Sequence, residues 1–206
     1  MVKKKFKRIG VVGRWKPLHN GGAVLLEALC SQAEEVVIGI GSCNKHNARN
    51  PFTASESEEM IRGYLSPRFS NYSFVHVPDF AHIPEYRDGQ KWRSYVLEHF
   101  GELDAFACGN AYVKELLKDD YRIINSWELV PEMDRVFVKG SMVRLEMARG
   151  DAWNKMVPQT VADYLEKGLV ERFRKQYGLE TLAGLVMSDY FMKESREEEQ
   201  VHTYEN

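Results

Sequence analysis

The 206-residue chain reads as an α/β protein: a Rossmann-like parallel sheet with helices on both faces, followed by C-terminal helices. Three features predict this. Short apolar runs alternate with amphipathic helical stretches through the first two-thirds of the chain, as parallel strands joined by crossover helices require. The runs are apolar at consecutive positions, which suits strands buried on both faces. Glycines and polar residues gather where the runs end, and open α/β sheets bind ligands beyond the carboxyl ends of their strands.

The first run is Ile9-Gly-Val-Val12, with Gly10 inside it. Gly13 permits a tight turn. Arg14, Lys16 and His19 follow at the strand's exit, and Pro17 stiffens the bend. Gly21 and Gly22 open a helix whose apolar face carries Ala23, Leu26, Leu29, Cys30 and Ala33. A buried strand therefore feeds a cationic, glycine-bearing loop and a helix N-terminus. Backbone N–H groups and the helix dipole favour an anion there. Read alone, the corner suits a phosphate site and a plain structural turn equally well.

Glu35 to Gly41 forms the second strand, and the polar stretch to Phe52 holds His46, Arg49 and Pro51. His46 reads as an exposed loop residue. Thr53-Ala-Ser-Glu56 is a capping box. It starts a helix with Met60, Ile61, Tyr64 and Leu65 on one face and Pro67 just beyond its end. Ser73 to Val77 is the third strand, closed by Pro78. After a loop with Pro84 and Gly89 comes a helix with Trp92, Tyr95, Val96, His99 and Phe100 at helical spacing. Asp104 to Cys108 is the fourth strand, and Asn110 suits the N-cap of a helix to Leu117. Tyr121 to Ile124 is a weaker fifth strand.

The rest reads as helical. Gly140 to Arg149 is short and charged. Pro158 suits the first turn of a longer helix with Val161, Tyr164, Leu165 and Phe173 inward. These spans place an α/β core at about 7–140 and a helical end at 141–177, one domain over 7–177. Residues 178–206 form an extension, with a helix over Leu179 to Met192 and a glutamate-rich tail from Lys193 to Asn206.

Composition narrows the function classes. Hydrophobic residues at 44% and charged residues at 28% are ordinary for a packed globular domain. A formal net charge of −2, with no basic face interleaved with aromatics, speaks against a nucleic-acid partner. No apolar run reaches about 18 residues, so no membrane span is expected. The lysine-rich start has no apolar segment behind it, so no secretory signal is read, and a cytoplasmic location is the expectation. The 3 cysteines lack metal-ligand spacing, so no metal-ligating residues are assigned. Cys30 and Cys108 read as small buried hydrophobes.

Gly13-Arg-Trp-Lys-Pro-Leu-His-Asn-Gly-Gly22 resembles the G-R-[FW]-x-P-x-H-x-G-H signature of the HxGH nucleotidyltransferases. Within them the chain is most similar to the archaeal-type nicotinamide-mononucleotide adenylyltransferases. Ile40 to Ala54 resembles I-G-S…[ND]-P-F-T-A, Gly109-Asn110 resembles the Gly-Asn-Pro after the fourth strand, and Lys139-Gly-Ser-Met-Val-Arg144 stands in the place of S-G-T-x-[IV]-R. Asp151-Ala-Trp153 and Val157-Pro158 resemble the family's helical end. The likeness runs from about Gly10 to about Lys175.

The resemblance implies the HxGH nucleotidyltransferase fold and an enzyme that transfers AMP from ATP to nicotinamide mononucleotide, giving NAD and pyrophosphate. It implies ATP as co-substrate, Mg²⁺ bridging phosphate oxygens, and small-molecule nucleotides as partners. A homo-oligomer is open, since the family commonly assembles. His19, Arg144 and Arg49 take the catalytic positions against the phosphates, with Arg14 beside them. Gly13, Trp15, Gly21, Gly22, Gly109, Asn110, Lys139 and Ser141 complete the nucleotide-binding set, and Ser141 would cap the helix that carries Arg144. Ser42 and Trp92 fall on the acceptor side. Trp92 either stacks on a nicotinamide ring or packs in the core, and Asn110 either touches ligand or caps its helix. Gly22 stands where the family has its second histidine. Losing that charge-assisted donor is worth about 2–4 kcal/mol of transition-state stabilisation, so slower turnover is expected. Lys139 or Lys16 would supply compensating charge. Two alternatives stay open: a related adenylyl- or cytidylyltransferase with another small acceptor, and a catalytically weakened nucleotide sensor.

Overall fold

The computed structural model describes residues 4–184. Its 5 strands form one parallel sheet in the order β3-β2-β1-β4-β5: β1 Phe6–Gly13, β2 Ala33–Gly41, β3 Tyr72–Val77, β4 Ala105–Ala107 and β5 Ile123–Ile124. The chain moves from β1 to β2 and β3, then returns past β1 to β4. This reversal sets the switch point between β1 and β4, where an open sheet parts into a crevice.

Side-chain alternation along each strand feeds two cores. Ile9 and Val11 of β1, with Val36, Ile38 and Ile40 of β2, pack against helix α1 (Asn20–Gln32) and helix α2 (Ala54–Leu65). Val37 and Phe106 point the other way, toward helix α3 (Gln90–Phe100) and helix α4 (Ala111–Leu117). On that side Gly10 and Gly39 leave room for Phe100. A Cβ at Gly10 would lie 2.9 Å from its ring, and one at Gly39 would lie 2.8 Å from it.

Helices α5 (Ser126–Leu129), α6 (Gly140–Arg149), α7 (Gln159–Leu165) and α8 (Leu169–Phe173) follow. The later ones pack onto the α1/α2 side through Val143, Met147, Val161 and Phe173. Phe52 meets Phe173 with ring centroids 6.4 Å apart. Among the described residues, no helix is long and apolar enough to cross a membrane.

Several boundaries differ from the sequence reading. β2 begins at Ala33, since that residue already pairs with Phe6. The single helix expected after Pro158 is two, because Gly168 adopts φ 104°. Pro158 is the N-cap of α7, not a residue of its first turn. On α3, Val96 and Phe100 are buried but His99 is exposed, so the buried face is narrower than the spacing suggested. Cys30 is buried, whereas Cys108 is half-exposed at the open carboxyl end of β4. Residues 179–184 are helical. The rest of the helix expected to Met192, and the tail from Lys193, lie outside the described residues.

Gly10→Ala tests the two-faced sheet. The new methyl would meet Leu103 and Phe100 at under 3 Å. Overpacking of this kind costs about 1–3 kcal/mol, which chemical denaturation will read.

Candidate active site

β1 delivers the chain to a corner shaped by one indole. Trp15 sits at φ 53°, a conformation costly for a bulky residue and held only by firm surroundings. Its ring is 7% exposed, and its Nε1–H donates to the Gly39 carbonyl at 2.9 Å. A Cβ at Gly13 would fall 2.6 Å from this ring, and one at Gly22 would fall 3.1 Å from it. Both glycines are therefore packed against Trp15. A side chain at residue 22 would start against the indole and need it to give slightly. Gly21 is needed for another contact, since its Cβ would lie 2.5 Å from the Val136 carbonyl. The segment leading into α6 thus lies directly on the first turn of α1.

His19 is the N-cap of α1, and its Nδ1 accepts from the Gly22 N–H at 3.1 Å. That bond places the ring proton on Nε2. Burial first, and Arg144 second, push the His19 pKa down to about 4. The ring is a neutral donor at physiological pH. The Gly22 N–H is already used by His19, so residue 22 offers no donor of its own.

Arg144 is 7% exposed on α6, and its Nη1 donates to the Lys16 carbonyl at 2.8 Å. Burial, then Arg14, then Arg49 push its pKa down to about 10. Arg14 is lowered by burial and by Arg49, and Asp79 partly offsets this. The groups thus sense one another. Among the described residues, none of the three arginines has a carboxylate within ion-pair distance. Crowded like charges of this kind favour an anion between them.

Arg49 is exposed, and its loop is held from behind. Asn47 Oδ1 accepts from the Arg49 and Asn50 N–H groups at 3.1 and 3.0 Å. Thr53 and Glu56 form the expected capping box at the start of α2. Arg172 of α8 grips the same Glu56 carboxylate at 2.6 and 2.7 Å. The C-terminal helices thereby fix the strand-to-helix loop that carries Arg49.

Cavities open around this charge. One, of about 420 Å³, is lined by Gly13, Arg14, Ser42, Asp79, Trp92 and Asn110, among others. A second, of about 250 Å³, is lined by Trp15, His19, Gly21, Gly22, Trp127, Val138 and Lys139, with others. Trp127 stacks on Phe137 beside it at 5.0 Å. Arg49, Ser141 and Arg144 share a third. Gly140 links the sides: its Cβ would stand 3.2 Å from Arg144 Nη1 and 3.7 Å from His19 Cδ2.

The structure therefore brings the expected residues to one rim, with qualifications. Gly109 is not among the residues lining these cavities. Ser141 does not cap α6: the helix starts at Gly140, and Lys139 occupies the cap position without a side-chain bond. Asn110 caps its helix and also stands at a cavity. It lines the first cavity, and its Oδ1 accepts from the Tyr112 and Val113 N–H groups. Trp92 is half-buried: it lines the first cavity and also packs against the core on the α3 side. His46 is exposed, as expected. Lys139 lines the cavity that holds Gly22, whereas Lys16 is buried toward Ser42. Sequence reasoning missed Asp79, Trp127 and Arg172. The Pro78-Asp79 step at a strand exit was the one available signal.

Comparison with known proteins gives the same placement. No family-level sequence profile matches the chain. Nicotinamide-nucleotide adenylyltransferase from Thermococcus kodakarensis is 33% identical over 173 residues, covering 82% of this chain and 87% of the relative. The chain belongs to the nicotinamide-nucleotide adenylyltransferase family. Another adenylyltransferase of the family, from Methanococcus vannielii, is 30% identical over 159 residues, covering 77% of this chain and 87% of that one. A crystal structure of a bifunctional NMN adenylyltransferase/ADP-ribose pyrophosphatase from Francisella tularensis, complexed with AMP and a Mn ion, shares the fold. Its TM-score is 0.68 at 16% identity, over 91% of this chain and 56% of that chain. In this adenylyltransferase, then, the Gly22 departure sits inside an otherwise assembled cluster of cations.

His19 carries two roles that substitutions separate. Asparagine at an N-cap keeps an acceptor for the helix N–H, whereas alanine loses about 1 kcal/mol. His19→Asn should retain wild-type stability, and His19→Ala should fall by about that amount in denaturant titration. Both should lower kcat by about 10²–10³, the usual effect of removing one preorganised donor.

Proposed function

We propose that the chain transfers the AMP moiety of ATP to nicotinamide mononucleotide, forming NAD and releasing pyrophosphate. The observation that carries this reading is the convergence of Arg14, Arg49 and Arg144 on the carboxyl edge of the sheet, beside a neutral imidazole and, among the described residues, with no carboxylate in ion-pair distance. The substrates follow from the relatives, which are nicotinamide-nucleotide adenylyltransferases.

The two smaller cavities suit two reactants. The base of ATP fits the apolar cavity walled by Trp15, Trp127 and Val138. Its triphosphate runs past His19 toward Arg144 and Arg49. The pyridine nucleotide fits the cavity with Trp92, whose face suits an aromatic ring, and its phosphate meets Arg14. An oxygen of that phosphate attacks the α-phosphorus, and the bond from the α-phosphorus to the departing pyrophosphate oxygen breaks. No covalent intermediate is needed. The protein orients both nucleotides and stabilises charge as it moves onto pyrophosphate. His19 donates from Nε2 to a phosphate oxygen, and the guanidinium groups act as forked donors.

Mg²⁺ fits this site as a passenger of the triphosphate. It would be held chiefly by phosphate oxygens and water, and it would neutralise part of their charge.

Gly22 favours a second reading, a nucleotide sensor with weak turnover, because its only donor is occupied by His19. Lys139 in the same cavity argues for retained catalysis.

Incubation with ATP, Mg²⁺ and nicotinamide mononucleotide should yield NAD and pyrophosphate. Arg49→Met, an exposed change, should lower kcat/KM by about 10²–10³ with stability kept. Lys139→Ala should cost roughly a further tenfold, since an exposed cation near phosphate contributes less than a buried one. Pyrophosphate release only with another acceptor would change the substrate. Tight nucleotide binding with no release would favour the sensor.

A further inference from the structure

Lys16 is the most deeply buried charged side chain in the region, at 2% exposure. No carboxylate pairs with it among the described residues. Its side chain reaches the end of β2, where Nζ donates to the Ser42 carbonyl at 2.8 Å. Ser42 itself is held at φ 52° where β2 ends, and its carbonyl also accepts from the Lys45 N–H at 3.1 Å. The backbone carbonyl of Lys16 accepts from Arg144 Nη1 at 2.8 Å. One residue thus joins α6, the exit of β1 and the exit of β2. A buried, unpaired ammonium is expensive. Core packing alone would be served better by methionine, so the charge calls for a reason.

We propose that Lys16 is a positioning residue: its buried ammonium ties the β2 exit to the β1 exit and supplies a fixed positive charge near the bound phosphates. The proposal deepens the adenylyl-transfer reading and rests on it for the triphosphate alone. Lys16 acts through the two strand exits and does not itself touch the nucleotide.

The charge state gives a readout that packing would not. Burial lowers the Lys16 pKa to about 8; nearby Cys43 opposes the shift and Arg14 adds to it. The other groups facing it hold their charge state between pH 7 and pH 9. Burial pushes the Cys43 thiol up, away from this window. His19, at about 4, stays neutral. Arg14 and Arg144 stay cationic. The ammonium is disfavoured in the fold, so it costs stability at neutral pH. That cost is relieved as pH rises through 8 toward the unfolded value.

The test is calorimetric titration of the full chain with a non-hydrolysable ATP analogue and Mg²⁺ at pH 7 and pH 9. Wild-type affinity should fall about tenfold over this range, the order expected for losing one charge near a polyanion at intermediate dielectric. Lys16→Arg, which does not titrate, should stay flat. Lys16→Met should bind about tenfold more weakly at pH 7, show no further loss at pH 9, and melt at the wild-type temperature or above it. Wild-type affinity in Lys16→Met at pH 7, or an unchanged pH slope in Lys16→Arg, would overturn the proposal. If Lys16→Met fails to fold by circular dichroism, the slope of Lys16→Arg against wild type decides alone. Absence of NAD formation would count against the acceptor and not against Lys16, because the analogue binds without an acceptor. Absence of analogue binding in the wild type would overturn both.

Discussion

Unneutralised positive charge at one sheet edge is the constraint to which the rest of the molecule answers. Arg14, Arg49 and Arg144 come from three separate loops or helices, and Arg14 and Arg144 are depressed by burial and by others of the set. A fold gains nothing by gathering like charges unless an anion joins them. The parallel topology explains why they meet. Every strand of the sheet ends at the same edge, and the reversal beside β1 opens that edge where Arg14 emerges.

Neutral packing does the work of keeping the charges there. Trp15 presses on Gly13 and Gly22 and bonds to Gly39, so the corner after β1 has little freedom. Gly21 lets the segment before α6 lie on α1, which brings Arg144 beside His19. Arg172 anchors the Arg49 loop through Glu56, from more than a hundred residues away in sequence. The C-terminal helices are thus part of the site's support, although no side chain of α7 or α8 belongs to the cation cluster. Gly22 lies against the same indole, so a side chain there would need the ring to shift slightly.

Much of this was legible in the sequence. Consecutive apolar residues at Ile9–Val12 and Val36–Ile38 announced strands buried on both sides, and the two cores bear that out. Thr53 and Glu56 announced a helix start through local chemistry alone. The positions of Arg14, His19, Arg49 and Arg144 came from strand exits and motif likeness, and these groups lie near enough to influence one another's charge. Tertiary context decided the rest. Nothing local distinguishes a buried Lys16 from a solvated one, since its burial depends on Ser42 and Arg144 arriving from elsewhere. Cys108 looked apolar by its neighbours in sequence, but its strand ends at an open edge. Ser141 looked like a cap by residue type, yet the helix begins one residue earlier. Gly168 was read through as helix, because a single glycine is tolerated in many helices and only its positive φ shows the break.

The most direct measurement is a crystal structure of this adenylyltransferase with a non-hydrolysable ATP analogue. The account predicts phosphate oxygens within hydrogen-bond distance of His19 Nε2 and of the Arg49 and Arg144 guanidinium groups, with the base in the cavity beside Trp15. A triphosphate bound elsewhere, or seated there with those arginines turned away, would contradict it.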